Sequence, residues 1–326
     1  MKKKALITIF ALLLVAGIWV SNSQGQNYPT RPIELAAPYS AGSATDIMIR
    51  LVADIIPKYL GQPLVVINKP GANGSLAAAE IITSKPDGYK LAMLANTHFG
   101  SAFKALKLSF DPNDIDPLLY FYEMKHGLSV RGDSPWKNLN DMLKYARENP
   151  GKLRWGHVGR GGTQYVYGIL IFRKAGVQTI DLPYKGSPEQ ISAVLGGHLD
   201  TTVSTYGPVK DLLKTGRLRY LCVLTDRRYS DLPDIPSCTE LGFEGAGKIP
   251  TLFGISVHKN TPGEIKKTLI EAFRKTYESP EFKAGIERIG EEPKFGGPEE
   301  MREAIRSHEK FSVPILKELG LYVEQK

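Results

Sequence analysis

The chain has 326 residues, a hydrophobic content of 42% and a formal net charge of +8. This length and composition exclude a disordered chain and suffice for two domains of ordinary size, each with its own core. The positive charge is scattered and forms no basic run with interleaved aromatic residues, so we expect no nucleic-acid partner. A mild positive surplus favours anionic small molecules instead.

The amino-terminal residues have the layout of a secretory signal peptide. Three lysines at positions 2–4 precede an apolar run at 5–20, and a polar segment follows at 21–26. Serines at positions 21 and 23 suit a cleavage site, although no Ala-x-Ala motif is present. We therefore predict that residues 1–26 are an export signal and that the mature protein is periplasmic. An uncleaved membrane anchor is the alternative.

The first predicted junction between a strand and a helix carries the strongest signal of a binding site. A short strand at 33–37 leads into a loop of small and hydroxylated residues, and apolar residues then recur at helical spacing over 47–59. Backbone N–H groups and hydroxyls can converge there at the positive end of the helix dipole, which suits a carboxylate or a phosphate. Capping of the helix by Ser43, Thr45 and Asp46, without a ligand, is the alternative. The candidate contacts are Tyr39, Ser40, Ala41, Gly42, Ser43, Ala44, Thr45 and Asp46.

The same alternation of strand, loop and helix continues along the chain. Strands are predicted at 63–67 and 89–94, with a helix at 76–84 between them and a helical segment starting at Asn96-Thr97-His98. This alternation predicts an α/β fold with a parallel or mixed sheet covered on both faces. In such sheets the loops at the carboxyl ends of the strands surround the ligand crevice.

A second series of such units follows. Strands predicted at 153–157, 180–184 and 200–204 each end in a loop of small residues that opens a helix. After a strand at 252–257, the tail is predicted to be helical and to have no strand of its own. We therefore assign residues 27–123 and 251–326 to a discontinuous domain 1 and residues 124–250 to domain 2. Two connections near 123 and 251 would form a hinge below an interdomain cleft.

The chemistry of the loops favours binding over catalysis. The sequence has no Gly-x-Ser-x-Gly elbow, no Gly-x-x-x-x-Gly-Lys-Ser/Thr loop and no His-Glu-x-x-His motif. The titratable loop residues Asp46, His98, Arg160 and Lys185 show no pairing of a base with a nucleophile. Two cysteines and six dispersed histidines do not supply metal-ligand spacing, so we expect neither a metal nor a cofactor.

The two cysteines lie in different local contexts. Cys222 falls in a predicted core strand and Cys238 near a predicted helix start. We therefore predict two buried thiols. A disulfide is the alternative, because an exported compartment permits one.

Seven segments resemble the periplasmic solute-binding receptors of the tripartite tricarboxylate transporter system, the Bug family. They are YPTRPI at 28–33, PYSAGSATD at 38–46, LGQP at 60–63, NKPGANG at 68–74, PDGY at 86–89, PYKGS at 183–187 and LPDIP at 232–236. They occur in order and at matching spacing over nearly the whole mature chain, which makes the resemblance more specific than any single motif.

The resemblance implies a two-domain periplasmic-binding-protein fold, of the Venus flytrap type, with a cleft that closes on its ligand. It implies that the loop at 39–46 and the residues Asn96, Thr97 and His98 hold a ligand carboxylate, partly through ordered waters. It implies that loops of domain 2 meet the other end of the ligand. The domain 2 candidates that it implies are Gly161, Gly162, Thr163, Tyr184, Lys185, Gly186, Ser187, Ser204 and Thr205. Arg160 is a further candidate, because it lies in the same loop as Gly161 and carries a positive charge.

Several of these candidates also have a purely structural explanation. Thr163 and Ser187 could be N-caps, Asp46 could complement its helix dipole, and Tyr39 and Tyr184 could be core aromatics. His98 could be an ordinary loop residue, and Arg160 could be solvated.

The sequence departs from the usual family pattern in ways that concern the ligand. Ser43 stands where the family usually has glycine, and Asn96-Thr97-His98 replaces a run rich in Ser, Asn and Gly. Ser204-Thr205 replaces a pair that often contains an acid, which favours a plain mono- or dicarboxylate over an amino acid. The resemblance thus implies a monomeric receptor that delivers a small organic carboxylate to membrane transporter subunits. A sensor signalling to a histidine kinase, or a hydrolase or lyase, is the alternative.

Overall fold

The computed structural model describes residues 28–324, which form eleven strands and ten α-helices. The strands are β1 (Ile33–Ala37), β2 (Leu64–Asn68), β3 (Lys90–Ala95), β4 (Ile115–Met124), β5 (His126–Arg131), β6 (Leu153–His157), β7 (Thr179–Pro183), β8 (Thr201–Thr205), β9 (Leu218–Val223), β10 (Thr251–His258) and β11 (Glu292–Gly296). The helices are α1 (Ala44–Ile55), α2 (Pro57–Leu60), α3 (Ser75–Ile82), α4 (Leu139–Glu148), α5 (Thr163–Lys174), α6 (Ser187–Leu195), α7 (Tyr206–Lys214), α8 (Gly263–Glu278), α9 (Pro280–Ile289) and α10 (Pro298–Glu318).

Two mixed sheets carry these elements. The first has the order β11-β4-β10-β3-β1-β2, with β1 parallel to β2 and β3 and with β10 antiparallel to β3 and β4. The second has the order β7-β6-β8-β5-β9, with β6 parallel to β7 and β8 and with β5 antiparallel to β8 and β9. The predicted α/β fold with mixed sheets is confirmed.

Each sheet has a core of its own. In the first, Phe121 packs against Phe273 and Phe282 at ring-centroid distances of 6.2 and 6.3 Å. In the second, Trp155 packs against Phe172 at 5.1 Å. Helices cover each core, so each unit holds its loops at fixed positions.

Three elements of the structure differ from the sequence analysis. The strand β4 was not predicted, although it is buried along nearly its whole length. The tail was predicted to have no strand, yet β11 pairs with β4 at the edge of the first sheet. The helix predicted over 47–59 is interrupted, because Pro57 begins the separate short helix α2.

The chain passes between the sheets through Lys125, the residue that separates β4 from β5, and returns at the start of β10. Glu291 braces this junction because its buried carboxylate accepts hydrogen bonds from the backbone N–H groups of Lys125 at 2.7 Å and Gly207 at 3.1 Å. The predicted domain boundaries near 123 and 251 stay a prediction about which parts move together.

Two sequence predictions concern membrane contact and export. Between residues 28 and 324, no helix combines the length and the apolar character needed to span a bilayer. The predicted signal peptide at 1–26 lies outside the described residues. Cys222 and Cys238 are both buried, and the structure draws no bond between their sulfur atoms.

Candidate functional site

Loops of the two sheets face each other across a narrow space, here called the inner chamber. Its free volume of about 30 Å³ corresponds to roughly two water-sized groups, the number of oxygens in a carboxylate. Its lining consists of Tyr39, Ser43, Ala44, Thr45, Thr97, Met124, His126, Val158, Thr163, Gln164, Ser187, Thr205, Thr251 and Phe253. Eight of the predicted site residues therefore meet in one place, namely Tyr39, Ser43, Ala44, Thr45, Thr97, Thr163, Ser187 and Thr205.

A wider space, here called the outer pocket, has a volume of about 710 Å³ and shares Tyr39 and Val158 with the inner chamber. The predicted residues Arg160, Tyr184 and Lys185 line it. The two spaces therefore adjoin each other at Tyr39 and Val158.

Two helices of the second sheet begin at the inner chamber without a side-chain cap. The N-cap positions of α5 and α6 are Gly162 and Gly186, and neither helix has a capping hydrogen bond from a side chain. Thr163 and Ser187 are the first helical residues, so their alternative explanation as N-caps is wrong. The first backbone N–H groups of a helix have no partner within the helix and carry partial positive charge. Uncapped helix starts in a loop-lined chamber suit an anion.

The start of α1 differs, because its cap is a side chain. The Ser43 hydroxyl accepts a hydrogen bond from the backbone N–H of Asp46 at 3.3 Å, so the predicted capping role of Ser43 is confirmed. The same hydroxyl lies 3.0 Å from that of Thr45. Ser43 therefore fixes the loop while it lines the inner chamber.

Hydroxyl groups from both sides supply the remaining donors of the inner chamber. Ser187 and Thr205 form a second hydroxyl pair at 2.9 Å. In such a pair only one proton lies between the two oxygens, so the other hydroxyl proton can be donated to a ligand. Thr251, at the start of β10, adds a buried hydroxyl that has no partner among the described residues. Thr251 was missed because it lies in a strand and not in a loop.

Two histidines beside the inner chamber are uncharged at neutral pH. Burial lowers the pKa of both His98 and His126 to about 4. The Nδ1 atom of His98 accepts a hydrogen bond from the Ala95 N–H at 2.8 Å, so its proton is on Nε2, which lies 3.3 Å from the Tyr39 hydroxyl. Burial raises the pKa of Tyr39, which keeps its proton. Tyr39 thus accepts from His98 and has its own proton to donate.

Contacts across the opening hold the two sets of loops together. The Ser40 hydroxyl donates a hydrogen bond to the Glu189 carboxylate at 2.6 Å. A Cβ atom at Gly186 would lie 3.2 Å from the Ser40 backbone nitrogen, and one at Gly42 would lie 3.6 Å from Pro188. A Cβ atom at Gly161 would lie 2.2 Å from that of Ala105. The predicted residues Ser40, Gly42, Gly161, Gly162 and Gly186 thus lie where the two sides meet.

Asn73 is an unpredicted member of this meeting surface. It lies in the loop before α3 with a left-handed φ of 50° and is only 4% exposed. Neither its amide nitrogen nor its amide oxygen has a hydrogen-bond partner among the described residues, and the side chain faces Gly159 and Gly162 on the opposite side. The sequence marked the loop as Gly-rich, but nothing in it showed the direction of this side chain.

Some predicted residues support the site without lining it. The Asp46 carboxylate accepts hydrogen bonds from the Gly42 N–H at 2.9 Å, from the Asn68 amide at 2.8 Å and from Arg50 at 3.1 Å. These bonds hold its pKa below the usual value against the opposing effect of desolvation. Asp46 therefore has a structural role in the first turn of α1, and its carboxylate fixes the loop by these bonds.

Three further predicted residues are engaged elsewhere, and a fourth faces solvent. The Asn96 side chain accepts from the Leu252 N–H at 2.9 Å and donates to the Pro250 carbonyl at 3.1 Å, which ties β3 to the start of β10. The Ser204 hydroxyl lies within the second sheet, 3.1 Å from that of Ser129. His98 acts through Tyr39, and Ala41 is exposed on the loop surface.

The two cationic side chains of the outer pocket differ in whether they are paired with an acidic residue. Arg160 forms two hydrogen bonds of 2.9 Å to the Asp181 carboxylate, which also lies 3.0 Å from His157 Nε2. Lys185 is exposed and forms no ion pair within the described part of the chain. Lys185 is therefore the more available cation. No group of His, Cys, Asp or Glu between residues 28 and 324 has a metal-binding arrangement.

A family model for the tripartite tricarboxylate transporter family receptor matches residues 48–321. The chain belongs to this receptor family. A Cupriavidus necator relative, the UPF0065 protein in the gbd 5′ region, is 33% identical over 304 residues, which cover 92% of this chain and 91% of the relative. The predicted membership in a family of periplasmic solute-binding receptors is confirmed.

Solved structures of receptors support the same fold. The periplasmic binding protein BugD has a TM-score of 0.85 at 24% identity, covering 91% of this chain and all of BugD. Rpa4515 from R. palustris, solved with adipate, has a TM-score of 0.82 at 26% identity, covering 90% of this chain and 98% of that protein. The predicted periplasmic-binding-protein fold is confirmed, and the inner chamber lies between its two sheets.

Proposed function

We propose that this chain is an extracytoplasmic receptor that captures a small organic carboxylate in the inner chamber and delivers it to a tripartite tricarboxylate-type transporter. The observation that carries this proposal is the convergence of neutral donors from both sheets. They are the hydroxyls of the chamber and the uncapped starts of α5 and α6. A hydrogen bond to an ionised group contributes about 1.5–3 kcal/mol, so a few such bonds orient a carboxylate without a cation.

A plain carboxylic acid fits the inner chamber better than an amino acid does. No Asp or Glu occurs among the lining residues described above. The nearby Asp46 carboxylate already accepts hydrogen bonds from Gly42, Asn68 and Arg50. An ammonium group would therefore lose its hydration without gaining a charged partner, which is costly.

We propose that a second acidic group at the far end of the ligand approaches Lys185 in the outer pocket, which Glu189, bound to Ser40, also lines. A molecule with one carboxylate among Tyr39, Thr163 and Ser187 leaves the inner chamber past Val158 and approaches Lys185. Lys185 is exposed, so it contributes charge and on-rate more than a rigid contact. The adipate bound by the R. palustris relative is a dicarboxylate, and we propose the dicarboxylate class for this chain also.

Binding without turnover agrees with the hydrogen bonds of the site. The paired serine and threonine hydroxyls of the inner chamber, Ser43–Thr45 and Ser187–Thr205, bond to one another and not to a histidine or a carboxylate. A serine or threonine nucleophile needs an adjacent general base. We therefore propose that the ligand leaves the cleft chemically unchanged.

Isothermal titration of the mature chain with succinate, adipate and malate tests the proposal, with the corresponding diamides and aspartate as matched controls. The acids should bind and the diamides should not. Thr163→Val keeps the side-chain shape but removes a hydroxyl donor, and should raise the Kd about 10-fold or more. Thr268→Val, at an exposed position of α8, is the matched control. Equal affinities for the two variants would remove Thr163 from the site.

Delivery to a transporter needs a separate test in cells. Uptake of the radiolabelled acid should disappear when the gene for this chain is deleted and should return with the wild-type gene. Uptake that persists after deletion would contradict the transport part of the proposal.

A further inference from the structure

Cys222 and Cys238 form a close pair in the core of the second sheet. Both are fully buried, and their sulfur atoms lie 3.3 Å apart. A displacement of little more than 1 Å would bring them to the length of a disulfide, about 2.05 Å. The pair therefore needs only a small rearrangement to become a covalent bond.

The backbone holds the two cysteines next to each other independently of their side chains. The Val223 N–H donates to the Pro236 carbonyl at 2.9 Å, and the Cys238 N–H donates to the Val223 carbonyl at 3.0 Å. These bonds hold the end of β9 parallel to residues 236–238. Both sulfur atoms point into the same core, where Leu224 and Phe243 are neighbours. The main-chain pairing thus brings the two cysteines close to each other.

We propose that Cys222 and Cys238 are oxidised to an intramolecular disulfide in the exported protein. Two S–H bonds are lost and one S–S bond forms. The two electrons and two protons pass to the disulfide of a thiol–disulfide oxidoreductase, whose S–S bond breaks to give two thiols. Such oxidants act in exported compartments, and this family of receptors is periplasmic.

The burial of the pair sets the time of this reaction. The hydrogen bond from Cys222 and the loss of solvent raise the pKa of the Cys238 thiol well above its usual value. Because the thiolate is the attacking species, exchange in the folded core is slow. The bond therefore forms during folding, before the core of the second sheet closes over the sulfur atoms.

The disulfide encloses a segment that supports the junction between the sheets. Within residues 223–237, the Tyr229 hydroxyl accepts from the His126 N–H at 3.0 Å, and the Asp231 carboxylate pairs with the Lys125 ammonium at 2.9 Å. His126 also lines the inner chamber. A cross-link at the two ends of this segment restricts its unfolded conformations and keeps both contacts in place.

Mass spectrometry of the full chain, exported to the periplasm and purified without reductant, tests the proposal. Unfolding in iodoacetamide should give no adduct, and prior reduction should give two adducts per chain. A peptide spanning both cysteines should have a mass 2 Da below the dithiol form. Two adducts without reduction, or a disulfide between two chains, would overturn the proposal.

Thermal unfolding tests the structural consequence. Reduction with a phosphine should lower the Tm of the exported protein by about 5–10 °C, because the closed loop spans about 15 residues. The double variant Cys222→Ser/Cys238→Ser should have a low Tm that does not respond to the reductant. If full reduction leaves the wild-type Tm unchanged, the disulfide does not stabilise this segment. The number of iodoacetamide adducts on the wild-type chain tests the proposal even if the double variant fails to fold.

Discussion

Replacement of Gly162 by alanine should weaken ligand binding by obstructing the closed arrangement. Gly162 has φ −73° and ψ 165°, which alanine adopts without strain. A Cβ atom there would lie 2.6 Å from both Asn73 amide atoms and 2.9 Å from its Cγ atom. Carbon and polar atoms normally stay about 3.4 Å or more apart. The two loops must therefore separate by nearly 1 Å, or the buried Asn73 side chain must rotate.

The magnitude follows from the usual cost of overpacking. An added methyl group in a well-packed contact costs about 1–3 kcal/mol. Asn73 and Gly162 belong to opposite sides of the cleft, so this cost applies to the closed form alone. The Kd for a dicarboxylate should rise about 5- to 150-fold. Loss of the glycine N-cap affects the unliganded protein as well, by about 1 kcal/mol, and urea unfolding without ligand measures that effect separately.

The assay is isothermal titration of wild type, Gly162→Ala, Asn73→Ala and the double variant. Removing the Asn73 amide gives the new methyl group room, so the double variant should bind nearly as well as Asn73→Ala alone. The coupling energy between the two sites should be at least about 1 kcal/mol. An equal loss of affinity in both backgrounds, or no loss in either, would refute the reasoning that these loops meet on closure.

Three other predictions follow from hydrogen bonds and burial. Ser40→Ala removes the hydrogen bond from the Ser40 hydroxyl to the Glu189 carboxylate and should weaken ligand binding by about 1–2 kcal/mol in isothermal titration. Glu189→Gln should weaken binding less. Equal effects of the two variants would contradict a charge-assisted bond. Burial lowers the pKa of His98 and His126 to about 4, so the stability they contribute should be lost as pH falls from about 6.5 to about 4. In urea unfolding, His126→Gln should remove about 1–3 kcal/mol of the loss of stability between pH 7 and pH 5, and an unchanged loss would contradict the burial of a neutral histidine. Burial raises the pKa of Glu291 to about 7, so the stability that this carboxyl contributes should be lost as pH rises from about 4.5 to about 7. Glu291→Gln should flatten that part of the plot of unfolding free energy against pH, measured in urea. An unchanged plot would contradict the raised pKa of Glu291.

Elements with strong local signals could be predicted from the sequence. The strand β6 occurs at the predicted residues, because apolar patterning and flanking glycines act locally. The strand β4 lacks alternation and contains Pro117, which normally argues against a central strand. The structure accommodates Pro117 opposite Ser256, where the pairing with β10 shifts its register. The strand β11 is mostly exposed and exists because β4 offers it an edge, a contact between residues distant in sequence.

The candidate site also contains residues that the sequence could predict and residues that it could not. Thr163 and Ser187 were predicted because the family resemblance places the loops that contain them against the ligand. Asn96 was misplaced because its side-chain partners lie about 150 residues away, near the start of β10. Thr251 and His126 were missed because they become part of the chamber only when the chain crosses between the two sheets. The direction of a side chain and the contacts between residues distant in sequence decided these cases, and composition encodes neither.

A crystal structure of the mature chain with its tightest-binding dicarboxylate tests the central claim most directly. One carboxylate should lie within hydrogen-bond distance of Tyr39, Thr163 and Ser187, at the amino ends of α5 and α6, with the second directed toward Lys185. A ligand held outside the inner chamber, or one whose carboxylate is bound by an arginine or lysine in place of these donors, would contradict the account.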